Sequence, residues 1–340
     1  METLEKILVI QTAFIGDAVL TLPMIQKLNE QKPNSFIYVL CIPSTKEVFS
    51  NSESVTDVVV YDKRGSQKSL LSFIKLMFYI RSLNFSSVIS PHRSIRSTLI
   101  SFFSGANNTV GFDNADLSSL YKEVVKYQKD KHEVERNISL INDQINEKSW
   151  RILPKIKIGS AVNTTVGNLL TNLKATKNIA VAPGSVWKTK VYPKEYFEEI
   201  IKLIISNGYG VVLIGGKEDS DLCNSIAKNF DKTVSFAGKL TIPESVEVLR
   251  NCTALVCNDS APTHLAMIAD IPTITIYCST IPDFGFYPYN QKSKTVSFDE
   301  LNCKPCGIHG HKICPIKTFE CAYKLKPAVV FENLKKILPA

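Results

Sequence analysis

Short apolar runs alternate with longer amphipathic stretches over most of this chain. The short runs are rich in Val and Ile, as in strands buried on both faces, and the longer stretches carry apolar positions at helical spacing. In the first half, the pattern predicts strands at 7–11, 36–41, 57–61, 87–90, 109–112 and 122–127. The helices predicted between and after them lie at 18–30, 66–83, 94–104 and 134–146. Strands that alternate with helices indicate a parallel sheet covered on both faces.

The second half repeats this alternation. Strands are predicted at 178–182, 211–214, 233–236, 254–257 and 273–277, with helices at 193–207, 220–229 and 243–251. A chain of 340 residues exceeds the usual size of one core, so we expect an α/β protein with two doubly wound domains and a cleft between them. The predicted domains are 1–165 and 166–325, with the linker region inside 147–177. We expect the last segment, 326–340, to form a helix that could pack back on the first domain, although the sequence does not show which domain receives it.

Composition narrows the class of protein. The hydrophobic fraction is 44% and the charged fraction 21%, which are values of soluble globular proteins, and no run of eighteen apolar residues is present. The first apolar run follows Glu2 and Glu5 without a basic segment or a small-residue cleavage site, so we expect no signal peptide and a cytoplasmic location.

The formal net charge of +8 favours an anionic partner. A nucleotide diphosphate, a phosphorylated acceptor, a membrane surface and nucleic acid all fit this charge, but no zinc finger, RNP motif or long basic tract with aromatics supports nucleic acid. The sequence contains no P-loop, no G-x-G-x-x-G at the first helix and no G-x-S-x-G. The sequence therefore does not favour a nucleoside triphosphate hydrolase, a nicotinamide-binding enzyme or a serine hydrolase.

Residues 254–266, ALVCNDSAPTHLA, form the most informative motif. An apolar strand that ends on Asn-Asp-Ser and continues as a helix leaves backbone N–H groups unpaired, and with the helix dipole they favour an anion such as a diphosphate. Asp259 or Ser260 would cap this helix, Pro262 suits its first turn, and His264 lies one turn in. The alternative is an ordinary capped helix with a buried histidine.

Two loops of the second domain also follow predicted strands, at the edge where α/β sheets bind ligands. Gly184 and Ser185 predict a tight turn with exposed N–H groups, and Lys188 and Lys190 add ammonium charges. With the preceding motif, they favour a diphosphate pocket. Glu218 could accept hydrogen bonds from ribose hydroxyls, or it could lie in a solvated turn.

After the first strand, Gly16 permits a close backbone approach and Asp17 opens the next helix. Asp17 fits two roles, a helix cap or a carboxylate that takes a proton from a substrate hydroxyl.

The nine cysteines form two groups. Five lie in or beside apolar segments and are expected to be buried: Cys41, Cys223, Cys252, Cys257 and Cys278. The other four follow the spacing C-x2-C-x7-C-x6-C, with two histidines between them: Cys303, Cys306, Cys314 and Cys321. These four could hold a structural zinc ion, or they could be free or redox-labile thiols that pack a loop.

Three motifs together carry a family resemblance: IGDAVLTLP at 15–23, PGSVWKTKVYP at 183–193 and NDSAPTHLA at 258–266. As a set they resemble the ADP-heptose:lipopolysaccharide heptosyltransferases of glycosyltransferase family nine. Shorter matches support the same family, at 94–97, 132–136, 237–238 and 303–306. The resemblance implies the GT-B fold, two Rossmann-like domains that face each other across a cleft, with the acceptor on the first and the nucleotide sugar on the second.

The resemblance further implies an inverting transfer of a heptose or similar sugar from an ADP-sugar to a lipopolysaccharide core or lipid A-linked acceptor. Asp17 would deprotonate the acceptor hydroxyl, Lys190 would neutralise the leaving diphosphate, and no catalytic metal or other cofactor is expected. The residues carried over to the donor site are Gly184, Ser185, Lys188, Lys190, Glu218, Asp259, Ser260, Ala261 and His264. Those carried over to the acceptor site are Gly16, Arg93 and Arg96.

One departure from the family pattern concerns the donor loop. The family commonly has Lys-Arg-Trp-Pro where this chain has Lys190-Val-Tyr-Pro193, which removes a cation and an indole ring. Two alternatives to glycosyl transfer are a non-hydrolysing sugar-nucleotide epimerase, which also uses two Rossmann-like domains, and a non-catalytic protein that senses a nucleotide.

The segment 68–83 combines apolar residues with Lys68, Lys75 and Arg81. It could lie against the inner face of the inner membrane, where a lipid-linked acceptor would be met, but a helix packed in the first domain explains the same pattern and is favoured.

Overall fold

In the computed structural model, which describes residues 5–141, 150–171 and 173–339, every strand is parallel to its neighbours and the strands form two separate sheets. The chain divides into two units, Met1–Lys157 and Ile158–Ala340, and each unit contains one sheet. Among the described residues, no helix combines the length and the hydropathy that a membrane-spanning segment requires.

The first unit contains a six-stranded sheet in the order β3-β2-β1-β4-β5-β6. Its helices and strands, in chain order, are β1 (Lys6–Gln11), α1 (Ile15–Gln31), β2 (Phe36–Cys41), α2 (Lys46–Ser50), β3 (Asp57–Val60), α3 (Leu70–Ser82), β4 (Ser87–Ser90), α4 (Ile95–Phe103), β5 (Asn108–Phe112), β6 (Glu123–Val125) and α5 (Glu133–Ser139). β2 and β3 lie on one side of β1, and β4, β5 and β6 lie on the other. The topological switch point is therefore between β1 and β4, where the loops that follow these two strands meet. The prediction for 134–146 is confirmed in its first half, and 142–149 lie outside the described residues.

The second unit repeats this topology, with the sheet order β12-β11-β10-β7-β8-β9. Its elements are α6 (Ser160–Leu170), β7 (Asn178–Ala182), α7 (Lys194–Ser206), β8 (Gly210–Leu213), α8 (Ser220–Ala227), β9 (Thr233–Ser235), α9 (Ile242–Arg250), β10 (Ala254–Asn258), α10 (Ala261–Ala269), β11 (Thr273–Tyr277), β12 (Lys294–Ser297), α11 (Glu320–Tyr323) and α12 (Pro327–Lys335). The switch point of this sheet lies between β7 and β10. Two Rossmann-like units are thus confirmed.

The central strands of the second sheet are the continuous apolar runs of the sequence. All residues of β7, β8, β10 and β11 are buried, because helices cover both faces of the sheet. The edge strand β12 was not predicted from the sequence. Only Val296 of its four residues is buried, so its sequence contains no apolar run.

Two expectations about the second unit need correction. The terminal helix α12 belongs to the second unit, whereas the first domain was the suggested partner: Val330, Phe331 and Leu334 belong to the apolar core of the second unit, and α12 packs against α7. The predicted domain boundary, between 165 and 166, falls inside α6, and this helix packs against α9 of the second unit.

Candidate active site

The loops after β7 and β10 meet at the switch point of the second unit. The side chain of Asn258, the last residue of β10, holds them together: its Nδ2 donates to the Pro183 carbonyl at 2.8 Å, and its Oδ1 accepts the Tyr192 N–H at 3.0 Å. Asn258 is fully buried. This amide therefore brings the predicted Gly184-Ser185 turn beside the predicted start of α10, with Ser260 Oγ 3.5 Å from the Gly184 carbonyl oxygen.

Helix α10 begins without a side-chain cap. Ser260 occupies the N-cap position, but its hydroxyl donates to the Asn258 carbonyl at 3.2 Å and accepts no helix N–H. Ser260 is therefore the N-cap residue, as predicted, but its side chain does not make the expected capping hydrogen bond. In the first turn, Pro262 has no N–H and the Thr263 N–H donates to the Ser260 carbonyl at 3.1 Å, which leaves the Ala261 N–H for another acceptor. The helix dipole favours an anion at this position.

Lys190 and Asp259 form an ion pair at this helix start. The Nζ atom of Lys190 lies 2.7 Å from Asp259 Oδ2, and the Thr280 hydroxyl donates to the same oxygen at 2.7 Å. Both charged side chains are largely buried, with 12% and 9% exposure. The structure thus brings the lysine of one predicted motif beside the aspartate and the helix N-terminus of another.

His264 lies inside α10 and is buried. Burial lowers its pKa to about 4; Asp259 acts in the opposite direction and Lys190 adds to the lowering. Its Nδ1 atom has no hydrogen-bond partner among the described residues. A buried, neutral imidazole with one unpartnered nitrogen fits the predicted buried histidine, and this nitrogen could also bond to a ligand at the helix start.

On the loop after β8, Asp219 is closer to the Gly184 turn than the predicted Glu218. A Cβ added to Gly184 would overlap the Asp219 carboxylate, whose Oδ2 accepts the Gly216 N–H at 2.9 Å. Burial raises the Asp219 pKa, and the Lys188 charge lowers it. Glu218 and Lys188 are exposed. Sequence reasoning missed Asp219, although the glycines at 184 and 215, which leave room for its side chain, were visible.

Asp17 lies in the first turn of α1, after the strand at the switch point of the first unit. Its Oδ2 accepts the Phe14 N–H at 3.2 Å, so the side chain closes the helix N-terminus. Burial, together with the charge of Glu133, raises the Asp17 pKa to about 6, while the Phe14 N–H and Arg93 act in the opposite direction. The two predicted roles are therefore compatible, since a carboxylate with this pKa is ionised at neutral pH and still basic enough to accept a proton.

Sequence reasoning did not assign Glu133 a role at Asp17. Glu133 begins α5, which packs against α1, and its Oε2 accepts from Arg136 Nη1 at 2.9 Å and from the Tyr127 hydroxyl at 3.1 Å. Glu133 and Arg136 are both buried. The available signal was the i,i+3 spacing of these two charges in the motif at 132–136.

Basic side chains collect at the carboxyl edge of the first sheet. Arg93 stacks on the Tyr127 ring at 4.3 Å, and Arg96 Nη1 donates to the Tyr61 hydroxyl at 3.0 Å. Lys63, which was not predicted, donates to the Thr12 carbonyl at 2.7 Å. Burial lowers the Lys63 pKa, and the neighbouring charges of Arg64 and Arg96 lower it further. This edge therefore concentrates positive charge.

The cysteines predicted to be buried are buried. Of the other four, Cys303 is exposed, Cys306 and Cys314 are half-buried, and Cys321 is buried. No group of three or more Cys, His, Asp or Glu side chains suited to a metal ion occurs in the described parts of the chain. The zinc interpretation of these cysteines therefore finds no support.

Comparison with known proteins decides the family. The profile of glycosyltransferase family 9 (heptosyltransferase) matches residues 73–316, well over half of the chain. The chain belongs to glycosyltransferase family 9. This membership makes it a glycosyltransferase, and it does not favour the epimerase or the nucleotide sensor.

Individual members of family 9 are similar over nearly the whole length. Lipooligosaccharide heptosyltransferase 2 of Campylobacter jejuni is 27% identical over an alignment of 347 positions, and the alignment covers 98% of this chain and 99% of the relative. The solved family 9 glycosyltransferase of Veillonella parvula has a TM-score of 0.85 at 19% identity and covers 99% of this chain and 98% of its own. The solved ADP-heptose LPS heptosyltransferase II of Escherichia coli has a TM-score of 0.79 at 21% identity, with 98% of each chain covered. At these identities, the two structures support the fold.

Proposed function

We propose that this glycosyltransferase moves a heptose, with inversion, from ADP-heptose to a lipopolysaccharide core acceptor. The observation that carries the proposal is the cluster at the second switch point, where the Lys190–Asp259 pair, the Gly184 turn and the uncapped start of α10 meet. The family and the names of the similar enzymes support heptose as the sugar, ADP as the nucleotide and the lipopolysaccharide core as the acceptor.

In the proposed donor site, the diphosphate binds at the start of α10. The Ala261 N–H at the start of the helix binds one of its oxygens, the helix dipole favours its negative charge, and Lys190 supplies a positive charge. These groups stabilise the charge that develops on the diphosphate as the bond to the sugar breaks. Ser185 and Ser260 offer hydroxyl groups beside the same turn, and His264 Nδ1 offers one further hydrogen-bonding atom.

In the proposed reaction, Asp17 is the general base. It removes the proton of an acceptor hydroxyl, whose oxygen then attacks the anomeric carbon on the face opposite the diphosphate. The new glycosidic bond forms, the bond to the diphosphate breaks, and ADP leaves, which inverts the configuration. The raised pKa of Asp17 supports this role, because a more basic carboxylate accepts a proton more readily.

The acceptor is proposed to bind at the basic edge of the first sheet. Arg93 and Arg96 lie in the segment after β4, Lys63 lies after β3, and Gly16 lies beside Asp17. A cluster of cations fits an acceptor that carries phosphate or carboxylate groups, and guanidinium groups bind both in a bidentate manner.

We further propose that the enzyme works in the cytoplasm, peripherally at the inner face of the inner membrane. Helix α3 buries Phe73, Leu76 and Ile80 and exposes other large apolar side chains on its outer face: Leu70 and Leu71 at 73% and Phe78 at 70%. Lys68, Lys75 and Arg81 lie on or beside this helix. Exposed apolar residues flanked by basic ones suit the surface of a bilayer with anionic lipids.

Mass spectrometry of the products tests the reaction. The purified enzyme is incubated with a deacylated core acceptor and, in turn, with ADP-heptose and with UDP- and GDP-sugars. We expect the acceptor to gain the mass of one heptose residue with ADP-heptose. Conversion of the donor without acceptor would instead identify an epimerase, and no product with any donor would contradict the proposal.

A further inference from the structure

The segment between β12 and α11, which the cysteine spacing singled out, lies against the loop that carries Lys190. We call residues 306–311 of this segment the strap. At its start, the Cys306 N–H donates to the Ser279 carbonyl at 2.8 Å. At its end, His311 bonds to Thr189, the residue before Lys190.

Thr189 joins the strap to the donor loop with a full set of hydrogen bonds. Its hydroxyl donates to the His311 carbonyl at 3.1 Å, accepts the His311 N–H at 2.7 Å, and accepts the Ser279 hydroxyl at 3.0 Å. Its backbone N–H donates to the same His311 carbonyl at 3.1 Å. A hydroxyl has one proton to donate and two lone pairs, so this hydroxyl is saturated, and both Thr189 and Ser279 are buried.

Gly310 covers this joint. Its φ of +73° lies in the left-handed region, and a Cβ added there would come within 2.8 Å of both the Ser279 and the Thr189 hydroxyl oxygens. The same Cβ would lie 3.5 Å from Lys190 Cγ. The glycine therefore allows the strap backbone to lie directly on the joint and beside the aliphatic part of Lys190.

Two aromatic rings form a second contact between the strap and the loop that carries Lys190. The Trp187 ring stacks on the His309 ring, with 6.0 Å between centroids and 16° between planes. Strap residues 309, 310 and 311 in succession thus contact the loop that carries Lys190.

We propose that the strap positions Lys190 for the donor diphosphate, with Thr189 and Gly310 as positioning residues. This proposal rests on the proposed donor site. The lysine side chain is long and flexible, so a loop that is fixed before the ligand arrives reduces the ordering that binding requires. In this proposal, the cysteine-bearing segment acts through its backbone contacts with the donor loop and not through a bound metal ion.

Calorimetric titration with ADP tests the strap, and the chain offers a matched control. Gly310→Ala adds a methyl group at the joint, whereas Gly307→Ala adds one at a similar φ of +77° with no atom within 4 Å. We expect Gly310→Ala to raise the Kd for ADP about tenfold, the effect of losing one net hydrogen bond, and Gly307→Ala to leave it unchanged. Thermal unfolding of each variant shows that it is folded at the assay temperature.

A double variant separates positioning from a general loosening of the unit. In the Lys190→Met background, Gly310→Ala should not weaken ADP binding further, because the group that the strap positions is gone. If the two losses add, the strap does not act through Lys190 and the proposal is overturned.

A second pair of variants decides the question if Gly310→Ala does not fold. Thr189→Ser keeps the hydroxyl and should bind ADP as the wild type does, whereas Thr189→Val removes it and should weaken binding about tenfold. Wild-type affinity in Thr189→Val, together with weak binding in Lys190→Met, would overturn the strap and leave the donor site standing. Wild-type affinity in Lys190→Met would overturn the donor site and the strap together.

Discussion

The Nζ atom of Lys190 lies 2.7 Å from Asp259 Oδ2, so the lysine proposed to bind the donor is paired with a carboxylate of its own unit. Thr280 donates to the same carboxylate oxygen, which fixes Asp259 from the other side. The positive charge of Lys190 is thereby held at the start of α10, where an anion is favoured. We therefore expect the pair to affect both the stability of the second unit and its affinity for the donor.

The first prediction concerns stability. Lys190→Met should lower the free energy of unfolding by about 3–5 kcal/mol, because it leaves Asp259 as a largely buried and unpaired charge. Urea denaturation measures this change. The double variant Lys190→Met/Asp259→Asn should recover most of the loss, since no lone charge remains. An unchanged midpoint in Lys190→Met would show that the ion pair does not contribute to stability.

The second prediction tests Asp17 as the base. Asp17→Asn should lower turnover about a hundred- to ten-thousandfold, the usual contribution of a general base, while the Kd for ADP stays the same. An asparagine can still accept the Phe14 N–H, so the helix N-terminus stays closed. Asp17→Ala also loses the hydrogen bond from the Phe14 N–H. The difference in unfolding temperature between Asp17→Ala and Asp17→Asn therefore measures the capping role. Full turnover in Asp17→Asn would rule out Asp17 as the base.

The third prediction concerns pH. The raised pKa of Asp17 means that kcat/KM should rise as the pH increases through about 6 and level off above it, since only the ionised carboxylate can accept a proton. Glu133→Gln removes a negative charge that raises the Asp17 pKa, so the midpoint should move to lower pH. Glu135→Gln is the control, because Glu135 lies on the same turn of α5 and pairs with Lys131 at 3.2 Å. An unshifted midpoint in Glu133→Gln would contradict the proposed coupling.

The fourth prediction concerns the outer face of α3. The double variant Leu71→Glu/Phe78→Glu should bind vesicles that contain anionic phosphatidylglycerol at least about tenfold more weakly than the wild type, because two apolar side chains no longer enter the lipid. Co-sedimentation with vesicles measures the bound fraction. Val329→Glu on α12, at a position that is 47% exposed, is the control. Equal binding by the wild type and the double variant would show that α3 is not the membrane surface.

Strands that are buried on both faces were predictable from their continuous apolar runs. β10 and β11 are fully buried, so their apolar runs were visible, whereas β12 pairs at an edge with one buried residue and was missed. α6 was assigned to a linker region because its residues are polar and mixed, with Val166 as its one buried residue among those described. The packing of α12 depends on apolar partners in the second unit that the local pattern does not identify.

The candidate site was predictable to the extent that its residues follow strands. The rule that ligands bind beyond the carboxyl ends of parallel strands selected Asp17, Lys190 and Asp259. The influence of Glu133 on Asp17 arises because α5 packs on α1, and more than a hundred residues of sequence separate the two helices. The cysteine spacing suggested zinc, but the strap is held by backbone bonds to Ser279 and Thr189, which no spacing rule describes.

The chain passes from the first unit to the second once, between Lys157 and Ile158, and α12 stays within the second. A single genetic crossover at that junction would therefore exchange one complete unit between two related enzymes, and each unit would keep all the helices of its own core. Under the proposed assignment of the acceptor to the first unit and the nucleotide sugar to the second, such an exchange would change one specificity and keep the other.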